Sequence, residues 1–269
     1  MNKTLETQNM AVFCDFENVA LGVRDARYAE FDIHRVLEKL LLKGSIVVKK
    51  AYCDWERYKT FKAAMHEAAF ELIEIPHVRQ SGKNSADIRM VVDALDLCYT
   101  KAHVDTFVII SGDSDFSPLV SKLRENDKKV IGVGVKQSSS DLLIANCDEF
   151  IYYDNLVIRE KKALKRTRKT PAKGSKGSKK DKEKEERTNE ALALVMETLE
   201  ALAEERGAED KIWGSMVKQT LKRRRPGFNE SYYGFRSFNR LLDEAAARGM
   251  IELEPDEKSG GYIIISGHI

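Results

Sequence analysis

The run TFVIISGDSDFSPLV, Thr106 to Val120, decides the fold. Its first residues are β-branched, aromatic or otherwise apolar, and the run stops abruptly at Gly112. Carboxylates follow at Asp113 and Asp115, and an amphipathic stretch resumes after Pro118. The order reads as buried strand, turn, helix. In an open parallel α/β sheet the carboxyl ends of the strands face the crevice where ligands bind, so both carboxylates are expected there. Two carboxylates so close repel one another by kilocalories per mole unless a proton or a cation intervenes. Hard oxygen donors favour Mg²⁺ or Mn²⁺.

Upstream, Ala11 to Cys14 makes a short β run that ends on Asp15, delivering a third carboxylate to a strand tip. Ile33 to Leu42 has the three-and-four spacing of an amphipathic helix, Gly44 breaks it, and Ser45 to Cys53 follows as strand. Tyr58 to Phe70 reads as helix, Glu71 to Pro76 as strand, and Ala86 to Tyr99 as helix after a polar loop. Downstream come a helix Leu119 to Asn126, a strand Lys129 to Val135 and an edge strand Phe150 to Tyr153. Strands alternating with helices predict an α/β fold, a parallel sheet flanked by helices on both faces.

From Arg159 the composition changes. KKALKRTRKTPAKGSKGSKKDKEKEER is nearly free of large apolar residues, cannot bury a core, and reads as a basic flexible linker over 159–188. It separates a domain at 1–158 from one at 189–269. In the latter, Glu190 to Arg206, Trp213 to Arg224 and Phe235 to Arg248 carry helical periodicity, and Met250 to Glu254 and Tyr262 to Ser266 flank DEKSGG. Three helices and a hairpin predict a small winged-helix domain.

Composition bounds the rest. With 269 residues and 42% hydrophobic content the chain can bury a real core. A net charge of +2 does not by itself imply a polyanion partner, but 33% charged residues allow local patches. The four cysteines, Cys14, Cys53, Cys98 and Cys147, form no CxxC pair and suit reduced, buried thiols. Met1 to Met10 is polar and no apolar run reaches the length of a membrane span, so the expectation is a soluble cytoplasmic protein without a membrane partner.

Four acids are expected to converge at one sheet edge: Asp15, Asp113, Asp115 and Asp87, the last at the start of the helix after GKNSA. Each alone is a weak signal, because an Asp after a strand is often a turn residue or helix cap. Asp93 and Asp96 lie further along the same helix, with Asp93 turned away from Asp87. Glu17, two residues past the first strand tip, is as well suited to solvent. Asn18 can donate and accept, and so could steer a nucleophilic water or merely close the turn. Lys83 and Asn84 sit in a Gly-containing loop, where an ammonium could meet a phosphate or only solvent. The five histidines show no ligand spacing, and no GxSxG elbow or P-loop occurs. An acidic cluster holding Mg²⁺ or Mn²⁺ activates water and stabilises charge on a phosphate, so phosphodiester hydrolysis is the chemistry expected.

The segments CDFENVALG, GKNSADIRMVVDALDLCY, TFVIISGDSDFSPLVSKLRENDKKVIGVG and CDEFIYYDNL together resemble the NYN domain, a PIN-like nuclease family, in its bacterial LabA-like branch. The resemblance implies a PIN-like, Rossmann-like fold and a Mg²⁺- or Mn²⁺-dependent ribonuclease whose acidic ligands fall on Asp15, Asp87, Asp113 and Asp115, with Asn18 beside the first. NESYYGFRSFNRLLDEAAARGMIELEPDEKSGGYIIIS resembles the OST-HTH or LOTUS domain, a winged-helix module implied to bind RNA or a protein partner. There Lys222, Arg223, Arg224 and Arg225 could neutralise phosphates, and Tyr232, Tyr233 and Phe235 could stack on unpaired bases or fill the core. A homodimer through an apolar outer face of the last strand is also open.

Two other readings stand beside the ribonuclease. One is an RNA-binding adaptor whose first domain is catalytically silent. The other is a phosphatase of the haloacid-dehalogenase type, suggested by Ser111 followed by Gly112 and Asp113, in which Asp15 would be the nucleophile and Glu17 would stand where that chemistry wants a second Asp.

Overall fold

All five residues of Thr106–Ile110 are buried, so this strand needs cover on both faces, which a parallel sheet with helices above and below supplies. The computed structural model describes residues 8–75, 85–158, 179–206, 211–256 and 261–265. Strand β1 is Gln8–Asp15, β2 Gly44–Cys53, β3 Glu71–Glu74, β4 Thr106–Ile110, β5 Lys129–Gly134 and β6 Glu149–Tyr152. They form one sheet in the order β3-β2-β1-β4-β5-β6, every pairing parallel. The alternation of side chains along a strand divides the core in two. Met10, Val12 and Cys14 of β1 pack with Val108 and Ile110 of β4 on one face. Ala11 and Phe13 pack with Phe107 and Ile109 on the other, where Phe13 and Phe107 stack at 6.0 Å.

Helices α1 (Phe16–Asp25), α2 (Ile33–Leu41) and α3 (Lys59–Glu67) cover the first face through Val19, Val36, Leu40 and Met65. Helices α4 (Ser85–Thr100), α5 (Ser117–Glu125) and α6 (Asp141–Asn146) cover the second through Met90, Ala94, Leu119, Leu123 and Leu143. The expected α/β architecture is therefore the observed one, with strand and helix ends displaced by one to three residues. Two helices differ from expectation. Beyond Asp15 the sequence reads only as more polar, yet α1 begins at once, because Asp15 serves as its N-cap without an intervening loop residue. Helix α6 is six residues long, too short for periodicity to declare it.

This strand order fixes where the site lies. From β1 the chain moves outward to β2, and from β4 it moves the other way to β5, so the crevice opens between the carboxyl ends of β1 and β4. The turn after β4 is held against the loop after β5. Ser140 N–H donates to the Gly112 carbonyl at 2.8 Å, and a Cβ at Gly112 would lie 2.3 Å from the Ser138 carbonyl oxygen. Only glycine fits that approach.

The chain divides into two compact units, residues 1–170 and 171–269. In the second, helices Lys179–Arg206, Gly214–Arg224 and Phe238–Ala247 accompany strands β7 (Ile212–Trp213), β8 (Glu252–Pro255) and β9 (Tyr262–Ile265), paired antiparallel in the order β7-β9-β8. Its core joins Ala191, Leu192, Val195 and Leu199 to Val217, Leu221, Leu241 and Leu242. The helix Lys179–Arg206 takes in the last residues of the 159–188 stretch, where Lys and Glu, although they supply no core, are strong helix formers. Trp213, expected in a helix, instead ends β7. Residues 159–178 lie outside the described residues. Among the described residues no helix is long and apolar enough to cross a membrane, and Cys14, Cys53 and Cys98 are buried thiols while Cys147 is half-buried.

Candidate active site

Asp15 ends β1 almost wholly buried, at 8% exposure. Its Oδ2 accepts from the Ser111 hydroxyl at 3.0 Å, and its Oδ1 from the Asn18 N–H at 3.4 Å. Ser111, fully buried just beyond β4, also accepts from the Asp113 N–H at 3.2 Å. One hydroxyl thus ties the acid of β1 to the acid turn of β4. Asp113 in turn accepts from the Asp115 N–H at 3.0 Å and caps the 3₁₀ turn Ser114–Phe116. Asp115 is exposed beside it. Asp87 stands in the first turn of α4.

The electrostatics show that these acids share one space. Burial pushes the Asp15 carboxyl up to about 7, helped by the negative charge of Asp87 and, more weakly, Asp113, against the lowering effect of Ser111 and Asn18. Burial likewise raises Asp87 to about 6, and Asp113, Asp115 and Glu17 add to the shift. At both positions desolvation of the charged form first, and repulsion from the neighbouring acids second, favours the protonated carboxyl. The four expected acids are therefore brought together at the switch point. Their donors are hard oxygens only, and their crowded charge suits a hard divalent cation. Among the described residues, however, no three His, Cys, Asp or Glu side chains are set closely enough to enclose an ion as they stand. The set fits Mg²⁺ or Mn²⁺ in chemistry and charge while its side chains remain apart.

Asn18 has a defined structural partner. Its amide oxygen accepts from the Gly112 N–H at 2.9 Å, pinning α1 to the turn that carries Asp113. Two contributors gain roles that the sequence leaves open. Glu17 bears on Asp87 and pairs with Arg57 at 3.2 Å; its direction is fixed only once α1 is known to start at Phe16. Ser111 is the other, and its place between a buried strand and Gly-Asp is the signal that could have found it. Asp93 belongs to a different network, accepting from the Tyr52 hydroxyl at 2.8 Å and pairing with Arg89 at 3.1 Å and Lys50 at 3.4 Å. Asp96 is exposed.

The basic run of the second unit does not present one continuous patch. Lys222 and Arg225 are exposed. Arg224, with its side chain only 11% exposed, pairs with Glu197 at 2.7 Å, and Arg223 donates to the Thr220 hydroxyl at 2.9 Å, burial lowering its pKa. Tyr232 is 63% exposed, with the Arg187 guanidinium 5.4 Å from its ring centre. Tyr233 packs into the core and stacks on Phe228 at 5.4 Å, and Phe235 also lies against that core. Lys83 and Asn84 lie outside the described residues.

Comparison with known proteins agrees with this geometry. An uncharacterized protein of Methanocaldococcus jannaschii is 28% identical over 138 residues, which cover 51% of this chain; the chain spans about half, 54%, of that relative's length. A crystal structure of a protein of unknown function from Vibrio parahaemolyticus superposes with a TM-score of 0.51 at 26% identity, covering 58% of this chain and 98% of the other. The NYN domain matches residues 9–154, more than half of the chain and the whole of the acidic edge. Through that domain the chain belongs to the NYN family, part of the PIN-like nuclease superfamily.

Proposed function

We propose that this protein is a metal-dependent ribonuclease of the LabA-like NYN branch, hydrolysing RNA phosphodiester bonds at Asp15, Asp87, Asp113 and Asp115 with Mg²⁺ or Mn²⁺. The observation that carries the reading is the convergence of these acids at the β1/β4 switch point, where burial, with the charge of the neighbouring acids second, raises Asp15 to about 7 and Asp87 to about 6. Asp15, Asp87, Asp113 and Asp115 would hold the ion, which supplies charge stabilisation on the phosphate and a more acidic water. Ser111 keeps Asp15 and the Asp113 turn in register. Asn18 holds the Gly112 N–H and so steadies the turn that carries Asp113.

The second unit is proposed as an OST-HTH or LOTUS winged-helix module that binds RNA, or a protein partner. Supporting this are its three helices with a three-stranded antiparallel sheet and the exposure of Lys222, Arg225 and Tyr232. Joined to the first unit by residues of strongly basic composition, it would raise the local concentration of RNA at the acids. The exposed Lys222, Arg225 and Tyr232 also suit a second reading, an RNA-binding adaptor without catalysis. The phosphatase reading gains nothing from Glu17, which is engaged by Arg57.

The test is cleavage of labelled single-stranded and structured RNAs by wild type and Asp113→Asn, with Mn²⁺, Mg²⁺ and chelator in parallel. Metal-dependent cutting by the wild type that disappears in Asp113→Asn supports the ribonuclease. RNA bound but left intact under all conditions supports the adaptor.

A further inference from the structure

We infer that Arg57 and Lys136 grip phosphates on opposite sides of the acidic crevice, so that the substrate is an extended polynucleotide strand rather than a single nucleotide. The inference rests on the ribonuclease reading. An edge carrying Asp15, Glu17, Asp87, Asp113 and Asp115 repels a phosphodiester, and admitting one requires cations mounted beside it. Among the described residues two lie on loops at that edge. Arg57 follows β2, whose Tyr52 lies opposite Asp15 in the sheet. Lys136 follows β5, on the loop that packs against Gly112.

Arg57 is held through its side chain and Lys136 through its backbone. The Arg57 guanidinium meets Glu17 at 3.2 Å with its side chain 52% exposed, which directs it to the rim of the acids and leaves the rest of its donor fork toward solvent. Its loop is pinned by Arg57 N–H to the Asp54 carbonyl at 3.0 Å and by Trp55 N–H to Glu74 at 3.0 Å. The Trp55 ring is buried 5.0 Å from Phe16. Lys59 and Lys62, close by in the chain, are engaged by Glu56. Lys136 is exposed while its own N–H donates to Asp154 at 2.8 Å. Because β1 and β4 lie between β2 and β5, the two loops leave strands about 14 Å apart, three inter-strand spacings of roughly 4.8 Å, on either side of the crevice. A span of that width exceeds the size of one phosphate. A strand laid across the edge places one phosphate at each cation and another between them at the acids.

The experiment measures kcat and KM with Mn²⁺ on a single-stranded oligoribonucleotide and on bis(4-nitrophenyl) phosphate, a diester with no neighbouring phosphate, over a salt series. Wild type, Arg57→Ala, Arg57→Lys and Lys136→Ala are compared, each verified as folded by its thermal transition. Arg57→Ala is expected to lower oligomer kcat/KM about tenfold or more relative to the small diester, chiefly through KM. The log–log salt slope should fall by about 0.7 for each cation removed. Arg57→Lys should keep the slope but recover only part of the affinity, having lost the fork. Oligomer KM and salt slope unchanged in both alanine variants, or equal losses on both substrates, overturn this inference and leave the ribonuclease standing. Failure of the wild type to cut either substrate removes the ribonuclease reading and this inference with it.

Discussion

Replacing Asp15 by Asn should make the first unit more stable than wild type in alkaline solution and reverse that ranking in acid. The carboxyl rises from 3.8 to about 7 on folding, a shift of ~4 kcal/mol at 1.36 kcal/mol per unit. A raised carboxylate pKa means that the folded state binds the proton more tightly than the unfolded one. The stabilisation is therefore complete below the unfolded pKa and is lost as pH rises through the folded one. Between about pH 5 and pH 8 the wild type loses ~3 kcal/mol through this group, and the uncharged amide does not. The amide has a fixed cost, because one lone-pair site facing a donor becomes an N–H; this is about 1–3 kcal/mol at every pH. Net, the variant is equal or inferior near pH 5 and better by ~1–3 kcal/mol near pH 8. The assay is urea unfolding in chelator followed by the fluorescence of buried Trp55, with Trp213→Phe in both proteins to silence the other unit. Parallel pH profiles for wild type and the Asp15→Asn variant would refute the claim that burial and the neighbouring acids hold this carboxyl protonated.

Other consequences follow from the same contacts. Ser111→Ala removes the hydroxyl shared by Asp15 and the Asp113 N–H; it should cost about 1 kcal/mol in stability and move the Asp15 titration, read by carboxyl ¹³C NMR, further up. Gly112→Ala drives a Cβ into the Ser138 backbone and should destabilise by about 1–3 kcal/mol, whereas Gly22→Ala meets chiefly the rotatable Ser138 hydroxyl and should cost under about 1 kcal/mol in thermal unfolding. Arg224→Ala should destabilise the second unit by about 1–2 kcal/mol through loss of the Glu197 pair, while Lys222→Ala leaves its stability within about 0.5 kcal/mol, both read by urea unfolding.

What the sequence discloses depends on whether a residue's direction follows from a period. Thr106–Ile110 and Ile33–Leu41 declare themselves because apolar residues repeat at the spacing of a strand or helix. Once the strands alternate with helices, Asp15 and Asp113 must reach the same edge. Helix α1 is hidden because Asp15 is strand end and helix cap at once, and with it the directions of Glu17 and Asn18 are hidden too. Asn18 illustrates the limit: its residue type suits water steering, but only the fold shows its oxygen on the Gly112 N–H. In the run Lys222 to Arg225, four like residues have unlike fates, because a helix turns them in different directions and Glu197 lies under one of them. Charge runs announce composition and not presentation.

The most direct test of the acidic edge as one cation site is calorimetric titration of Mn²⁺ into the full chain near pH 6 in buffers of different ionisation enthalpy, for wild type and Asp15→Asn/Asp87→Asn. The expected result is saturable binding by wild type with release of protons from Asp15 and Asp87, release that declines toward pH 8, and loss of binding in the double variant. Equal Mn²⁺ binding by both proteins, or none by wild type at any pH, would contradict it.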